Sequence, residues 1–154
     1  SSSSSSSAPH FPLTKCIEAF SRVERLGEDD QWYCPTCKDH VCANKSLEIW
    51  SLPEILIIHL KRFIATRHTR EKISAIVNFP VDDLDLSPFV KGPSLDNHYE
   101  LFAISCHSGS LSGGHYTAYG RNFLNDKWYN FNDSHVHEVS GSMEQSSAYL
   151  LFYR

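Results

Sequence analysis

The sequence contains no run of about 18 apolar residues, the length that predicts a membrane-spanning helix. Its N-terminus is a serine tract without a basic or an apolar region, so no signal peptide is visible. An excess of basic residues is also missing, because the formal net charge is −4. These absences predict a protein that neither spans a membrane nor binds nucleic acid through a basic face.

The composition is that of an ordinary globular domain, with an odd number of cysteines. The 154 residues, 41% hydrophobic and 21% charged, are sufficient for one domain with a buried core. Five cysteines cannot all pair in disulfides, and two of them form a Cys-x-x-Cys motif, Cys34 and Cys37. This pattern favours a metal site and free thiols in an intracellular, cytoplasmic and/or nuclear protein.

Hydrophobic periodicity predicts one helix followed mainly by strands. Apolar residues recur at helical spacing from Leu13 to Leu26, with Thr14 as N-cap and Gly27 as stop. Alternating or continuous apolar runs predict strands at residues 46–52, 55–60, 99–106, 114–120, 127–131 and 148–153.

Local signals refine this pattern. The run at residues 55–60 predicts a strand covered on both faces, with His59 as a core residue. The following Lys61–Arg62 pair is interpreted as charge at a strand edge. Other signals predict a hairpin turn at 125–126, a short helical turn from a capping box at 142–145, and a mobile loop at 90–97.

The most informative segments are 113–119 and 127–134, interpreted as neighbouring strands of one hairpin. They can place His115 and Asn132 side by side at the hairpin's open end. A His whose N–H is accepted by Asn or Asp is the base half of a nucleophilic hydrolase site. Gly113 and Gly114 would let an extended peptide pass close to the backbone. From spacing alone, an ordinary strand histidine beside a bulge remains an open alternative.

Several motifs together resemble the ubiquitin-specific proteases. They occur in the family's order between about Leu13 and Arg154, at residues 32–37, 52–63, 77–80, 113–119, 127–134 and 148–153. The resemblance implies an α+β fold, a papain-like cysteine peptidase of the hand-shaped ubiquitin-specific protease type. Here that fold is mainly the antiparallel palm and fingers β-sheet, with few short helices.

The resemblance also implies a domain organisation. Residues 13–154 correspond to the C-terminal half of the catalytic domain, with the fingers knuckle at about 28–50 and the palm at about 51–154. Residues 1–12 are then expected to be a disordered Ser-rich linker or the edge of an insertion.

Site residues follow from the same resemblance. His115 is implied as the general base, Asn132 as the residue that orients it, and Asp133 as a further catalytic candidate that ranks below Asn132. The implied contacts of the ubiquitin tail are His107, Gly113, Gly114 and Tyr116.

The Cys box that carries the family's nucleophile is missing from this sequence. Cys106 lies near the hairpin, but a strand offers no helix N-terminus to lower its thiol pKa. The resemblance therefore implies a thiol-dependent deubiquitinase that needs an N-terminal Cys-box half, and this chain alone is expected to be inactive. Ubiquitin and ubiquitinated proteins are the implied partners. A catalytically inactive ubiquitin-binding module and a zinc-stabilised interaction module remain alternatives.

Cys34 and Cys37 are spaced as half of a tetrahedral zinc site. In the family a second Cys-x-x-Cys completes this structural site, so the resemblance implies zinc shared with a motif outside this chain. A local alternative adds His40 and Cys42, although four ligands within nine residues are cramped.

Overall fold

The computed structural model describes residues 9–65, 70–73, 75–93, 96–110 and 113–154. The strands in chain order are β1 (His10–Pro12), β2 (Glu24–Arg25), β3 (Trp32–Cys34), β4 (Asp39–Val41), β5 (Asn44–Lys45), β6 (Leu56–His59), β7 (Phe63–Ala65), β8 (Arg70–Lys72), β9 (Ile76–Asn78), β10 (Leu84–Asp85), β11 (His98–Tyr99), β12 (Leu101–Ser110), β13 (Gly113–Arg121), β14 (Trp128–Asn132), β15 (His135–Glu138) and β16 (Ala148–Tyr153). The helical elements of these ranges are α1 (Leu13–Phe20) and the 3-10 helices Glu28–Asp30 and Ser87–Phe89.

A six-stranded sheet in the order β15-β14-β13-β12-β16-β6 organises the fold. All of its neighbouring strands are antiparallel. Strands β12 to β15 follow one another as a meander, which places β13 beside β14. The C-terminal strand β16 instead enters between β12 and β6, so that Phe152 lies opposite Ile57.

One face of this sheet carries the core. Ile104, Leu151 and Ile58 are paired across three adjacent strands, so their side chains point to the same face. The buried core cluster, to which Ile104 and Leu151 belong, comprises Leu13, Leu60, Val77, Phe79, Leu84, Leu86, Tyr99, Leu101, Ile104, Cys106, Ala148, Leu151 and Tyr153. Each large aliphatic side chain buried in this way contributes about 1.5–3 kcal/mol relative to exposure. The core therefore holds the sheet that carries the candidate site.

The N-terminal helix begins at Leu13 as predicted but ends at Phe20 rather than Leu26. Its N-cap is Pro12, not Thr14, and no side chain caps it. The predicted extension is wrong because β2 pairs with β5, and the Leu26 N–H donates to the Ala43 carbonyl at 2.8 Å. Inter-strand hydrogen bonding thus overrides the helical spacing after residue 20.

The predicted strands at 99–106, 114–120, 127–131 and 148–153 are confirmed as β12, β13, β14 and β16, with small shifts in their bounds. The strand predicted at 46–52 is wrong, because β5 ends at Lys45 and Ile49 makes an isolated bridge with Val90. Within the range 1–12, which was predicted to be disordered, His10–Pro12 forms β1 and pairs with β9. Residues 1–8 lie outside the described ranges.

The apolar run at residues 55–60 forms β6, but its burial alternates. Ile57 is 56% exposed and His59 is exposed, whereas Leu60 is buried. β6 lies at one end of the six-stranded sheet, with β16 as its neighbour. The prediction of a strand covered on both faces, with His59 in the core, is therefore wrong.

Arg62 is not a strand-edge charge as predicted. It is 4% exposed, while Lys61 beside it is exposed. The Arg62 guanidinium donates to main-chain carbonyls, among them that of Ala148 at 2.5 Å. A buried cation can persist in this way because its donors are satisfied by oxygen atoms.

The sequence predicts three connections: a hairpin turn, a helical turn and a mobile loop. The hairpin between β13 and β14 is confirmed: Asn122 N–H donates to the Lys127 carbonyl at 2.9 Å, and Asp126 has a φ of 54°. The helical turn predicted at 142–145 is wrong, because a turn that closes from Ala148 N–H to the Gln145 carbonyl at 3.4 Å leads into β16 instead. Residues 94–95 of the loop predicted to be mobile lie outside the described ranges.

The β10–β11 pair carries a titratable contact. His98 Nδ1 hydrogen-bonds the Asp83 carboxylate at 2.7 Å, and this bond, with the negative charge of Asp83, raises the pKa of His98. Because the pKa of His98 is higher in the folded than in the unfolded protein, the contact stabilises the fold. This stabilisation is fully present below the unfolded pKa of about 6.5, and it is lost as the pH rises through the folded pKa. We therefore expect His98→Gln to destabilise the protein at pH 6 and to have a smaller effect at pH 8.5.

Urea unfolding of the wild type and His98→Gln at the two pH values measures this difference. His137→Gln, on the exposed strand β15, is the matched control. Equal destabilisation by His98→Gln at both pH values would show that the His98–Asp83 contact does not contribute through charge.

Candidate active site

β13 and β14 bring His115 and Asn132 together. Ala118 is paired with Phe131, so Asn132 follows one step along β14 and His115 three steps back along β13. With a side-chain period of two, both then point to the same face of the sheet. The His115 Nε2 atom and the Asn132 Oδ1 atom are 2.7 Å apart. The predicted side-by-side placement is confirmed.

This hydrogen bond fixes the form of the imidazole. An amide oxygen only accepts, so Nε2 of His115 is the donor in this contact, and in the neutral ring the lone pair is then on Nδ1. Nδ1 is therefore the atom available to take a proton from a nucleophile. Asn132 orients the ring without adding a negative charge that would stabilise the imidazolium.

Asp133 occupies a different position. It lies in the turn between β14 and β15, where Asn132 is paired with His135, and it is exposed with a φ of 51°. In the described part of the chain, the carboxamide of Asn132 and not the carboxylate of Asp133 bonds His115. The ranking of Asn132 above Asp133 as the residue that orients the base stays a prediction.

The four predicted tail-binding residues lie together on β12 and β13. His107 is 7% exposed and is paired with Tyr116, and their ring centroids are 4.7 Å apart. Gly114 lies against the same ring: a Cβ on Gly114 would be 2.2 Å from His107 Nε2 and 2.6 Å from the Ser108 carbonyl oxygen. Close packing against His107 and Ser108 therefore requires glycine at position 114, the residue before His115.

Gly114→Ala is consequently expected to destabilise the protein by about 1–3 kcal/mol, since the added methyl meets a backbone oxygen as well as a ring. Gly113→Ala is the matched control, because a Cβ there has no atom within 4 Å. Chemical denaturation of both variants makes the comparison. Equal stability of the two variants would contradict the close packing of Gly114 on His107.

The cysteines in the core and helix are not suited to nucleophilic attack. Cys106 is 2% exposed, and burial raises the pKa of its thiol. Cys16 in α1 is half-buried, and burial raises its thiol pKa as well. A nucleophilic cysteine needs an accessible thiolate. The possibility that Cys106 is the nucleophile is therefore not supported.

Cys34 and Cys37 lie at the turn between β3 and β4, and both are free. The Cys37 N–H approaches Cys34 Sγ at 3.5 Å, and main-chain hydrogen bonding from Cys37 lowers the pKa of Cys34. Lower thiol pKa favours the thiolate that zinc binds. The pair thus fits half of a zinc site.

The local four-ligand alternative is not formed. Across the described ranges, no three or more His, Cys, Asp or Glu side chains are grouped so that they could hold a metal ion. His40 packs its ring on Tyr33 at 5.4 Å between centroids, and Cys42 Sγ lies 3.9 Å from the Gln31 amide nitrogen. Neither side chain joins Cys34 and Cys37.

Comparison with known proteins places this site in a family. The family model for ubiquitin carboxyl-terminal hydrolase matches residues 13–153. Ubiquitin carboxyl-terminal hydrolase 10 of Arabidopsis thaliana is 54% identical over 144 residues, which is 92% of this chain and 16% of that protein. Ubiquitin carboxyl-terminal hydrolase 15 of Homo sapiens is 46% identical over 148 residues, 95% of this chain and 15% of that protein. The chain therefore spans about a sixth of the length of these relatives.

Solved structures agree with the sequence comparison. The SAGA Ubp8/Sgf11/Sus1/Sgf73 DUB module bound to ubiquitin aldehyde matches with a TM-score of 0.74 and 28% identity, over 95% of this chain and 35% of that chain. A SAGA DUB module bound to monoubiquitin matches with a TM-score of 0.75 and 30% identity, over 95% and 34%. Within the described residues, no helix is long and apolar enough to cross a membrane. The chain belongs to the ubiquitin carboxyl-terminal hydrolase family and has the α+β, papain-like fold of the ubiquitin-specific proteases.

Proposed function

We propose that this chain is the His- and Asn-bearing half of a thiol-dependent deubiquitinase, which hydrolyses the isopeptide or peptide bond after the C-terminal Gly of ubiquitin. The observation that carries this proposal is the 2.7 Å contact between His115 Nε2 and Asn132 Oδ1, which leaves Nδ1 free as a base. Family membership supports the same chemistry.

In the proposed reaction, Nδ1 of His115 takes the proton of a cysteine thiol. The thiolate attacks the carbonyl carbon of the terminal Gly, and the imidazolium then gives its proton to the leaving amine. Water, deprotonated by His115, cleaves the resulting thioester and releases the carboxylate and the thiol. Gly113, Gly114, His107 and Tyr116 form one wall for the extended ubiquitin tail.

The nucleophile is proposed to come from an N-terminal, Cys-box half of the same domain. The described cysteines that lie near the sheet are buried or half-buried, and the chain corresponds to about a third of the solved DUB-module chains. Residues 13–154 are then a C-terminal half-domain, with the fingers knuckle at about 28–50 and the palm at about 51–154. Its partners are ubiquitin and ubiquitinated proteins in the cytoplasm and/or nucleus, where free cysteines such as these persist.

The test is to assemble this chain with a Cys-box half and to measure hydrolysis of a ubiquitin–fluorophore conjugate. Turnover by the pair and none by either half alone is the expected result. A correctly assembled pair that binds ubiquitin without turnover would favour the inactive ubiquitin-binding module. A pair that does not bind ubiquitin would favour the other alternative, a zinc-stabilised interaction module.

The zinc site is proposed to be shared between the halves. We expect less than one tightly bound zinc per isolated chain and one per assembled pair, because Cys34 and Cys37 supply two of four ligands. Elemental analysis after dialysis measures both values, and Cys37→Ser should remove the zinc of the pair. Stoichiometric zinc on the isolated chain would instead require a local ligand set.

A further inference from the structure

Arg62 is a buried cation in the connection between β6 and β7. It follows β6 and is 4% exposed. Its Nε donates to the Ala148 carbonyl at 2.5 Å, and Nη2 donates to the Gln145 carbonyl at 3.2 Å. On the other side of the fork, Nη1 donates to the Ala75 carbonyl at 2.6 Å. One planar guanidinium therefore joins two backbone segments that are about 70 residues apart in the chain.

The segment from Gln145 to Ala148 is the turn that leads into β16. Its own closing hydrogen bond, from Ala148 N–H to the Gln145 carbonyl, is 3.4 Å long. Arg62 binds both of these residues, so the guanidinium spans the turn from its first residue to its last. A charged donor makes stronger hydrogen bonds than the weak closing bond of the turn.

This turn also binds the backbone of His107. The His107 N–H donates to the Ser147 carbonyl at 2.9 Å, inside the four residues that Arg62 spans. At this place the β12–β16 register shifts between Ser105 and Cys106, so the regular ladder is interrupted. The position of the His107 backbone therefore depends on where the turn lies.

His107 lies against the two residues that precede and follow the candidate base in β13. Its ring lies against Gly114, where a Cβ would be 2.2 Å from Nε2, and it packs on the Tyr116 ring at 4.7 Å. Gly114 and Tyr116 flank His115 in β13. A displacement of the turn would thus reach the tail wall through a single side chain.

We propose that Arg62 is a positioning residue for the ubiquitin-tail wall: by spanning the turn 145–148 it sets the place of His107, and through His107 that of Gly114 and Tyr116. This inference rests on the proposed function for its kinetic consequence. Its structural part, the coupling of Arg62 to His107, does not depend on any activity.

The variant that separates these parts is Arg62→Lys in the protein assembled with its Cys-box half. Lysine keeps the positive charge, but its compact ammonium cannot reproduce the planar fork that reaches both ends of the turn. Lys61→Gln is the matched control, because Lys61 is the adjacent exposed cation. Arg62→Gln, which has a shorter planar group, is the second variant if Arg62→Lys does not fold.

Amide hydrogen exchange, read residue by residue by NMR, tests the structural part. We expect exchange at the His107 amide to accelerate about tenfold or more in Arg62→Lys, because its acceptor turn is loosened. The Asn122 amide, bonded to the Lys127 carbonyl at 2.9 Å at the far end of the hairpin, should keep its rate. Equal acceleration at both amides would mean global destabilisation and would overturn the proposal.

Kinetics test the functional part. For a ubiquitin–fluorophore substrate we expect KM to rise about tenfold and kcat, per titrated active site, to fall less, because the wall binds the tail. The same KM ratio is expected for a short peptide substrate that ends in Gly-Gly. An unchanged KM with a local increase in His107 exchange would remove the link to the tail wall. If the wild-type pair has no turnover, the proposed function fails while the exchange experiment still decides the coupling.

Discussion

Replacement of His115 by alanine is expected to lower kcat of the assembled enzyme about ten-thousand-fold or more, the usual consequence of removing a member of a catalytic triad. The physical reason is that Nδ1 is the group placed to take the nucleophile's proton, and its ring is fixed by the 2.7 Å bond to Asn132. KM should change little, because the imidazole acts on the reacting atoms more than on the bound tail. Ubiquitin–fluorophore hydrolysis with active-site titration measures both constants.

His137→Ala is the control for this experiment. His137 is exposed on the neighbouring part of the same sheet, paired with Asn130, and has no place in the proposed reaction. Its activity should equal that of the wild type. Retention of substantial activity in His115→Ala would exclude His115 as the base. His115 would then be an ordinary strand histidine.

Asn132→Leu is expected to lower kcat by about a hundredfold to ten-thousand-fold, since the imidazole loses the acceptor that selects its tautomer. Leucine has a similar volume but no oxygen, so Nε2–H of His115 is left without its partner in this contact. Asn132→Asp keeps an acceptor at the same place and should stay within about tenfold of the wild type. The pair of variants separates orientation by hydrogen bonding from the filling of space.

Asp133→Asn provides the comparison at the adjacent position. Because Asp133 lies in the turn and the Asn132 amide bonds His115, we expect Asp133→Asn to lower kcat much less than Asn132→Leu does. The opposite order of effects would assign the orienting role to Asp133. Steady-state kinetics of the three variants under one condition decide this.

The sequence predicted the sheet better than its surroundings. The strands β12, β13, β14 and β16 were found because alternation and apolar runs continue over at least five residues in each. The spacing predicts a helix up to Leu26 because Val23 continues the helical period, yet Val23 is 64% exposed and is not packed. Sequence spacing does not distinguish an apolar residue that packs from one that does not.

The sequence predicts the part of the site that lies within one hairpin, but not the contacts between segments that are far apart in the chain. His115 and Asn132 lie in one hairpin, so pattern and turn signals were enough to pair them. Arg62 was missed because its role depends on carbonyls of Ala75, Gln145 and Ala148, and only the folded topology brings them to one guanidinium. The single local signal was a charged pair directly after a strong apolar run.

The place of β16 inside the sheet has a consequence for synthesis of the protein. β12 and β6 become neighbours only through residues 148–153, which follow β6 by about 90 residues. The sheet therefore cannot close while the ribosome still holds these residues, and the Arg62-bound turn has no position before then. Folding must wait for the end of this segment, as is typical of long-range β pairing. A stop codon that removes β16 would therefore leave β6 and β12 without their shared neighbour, with the catalytic hairpin intact in sequence but unsupported.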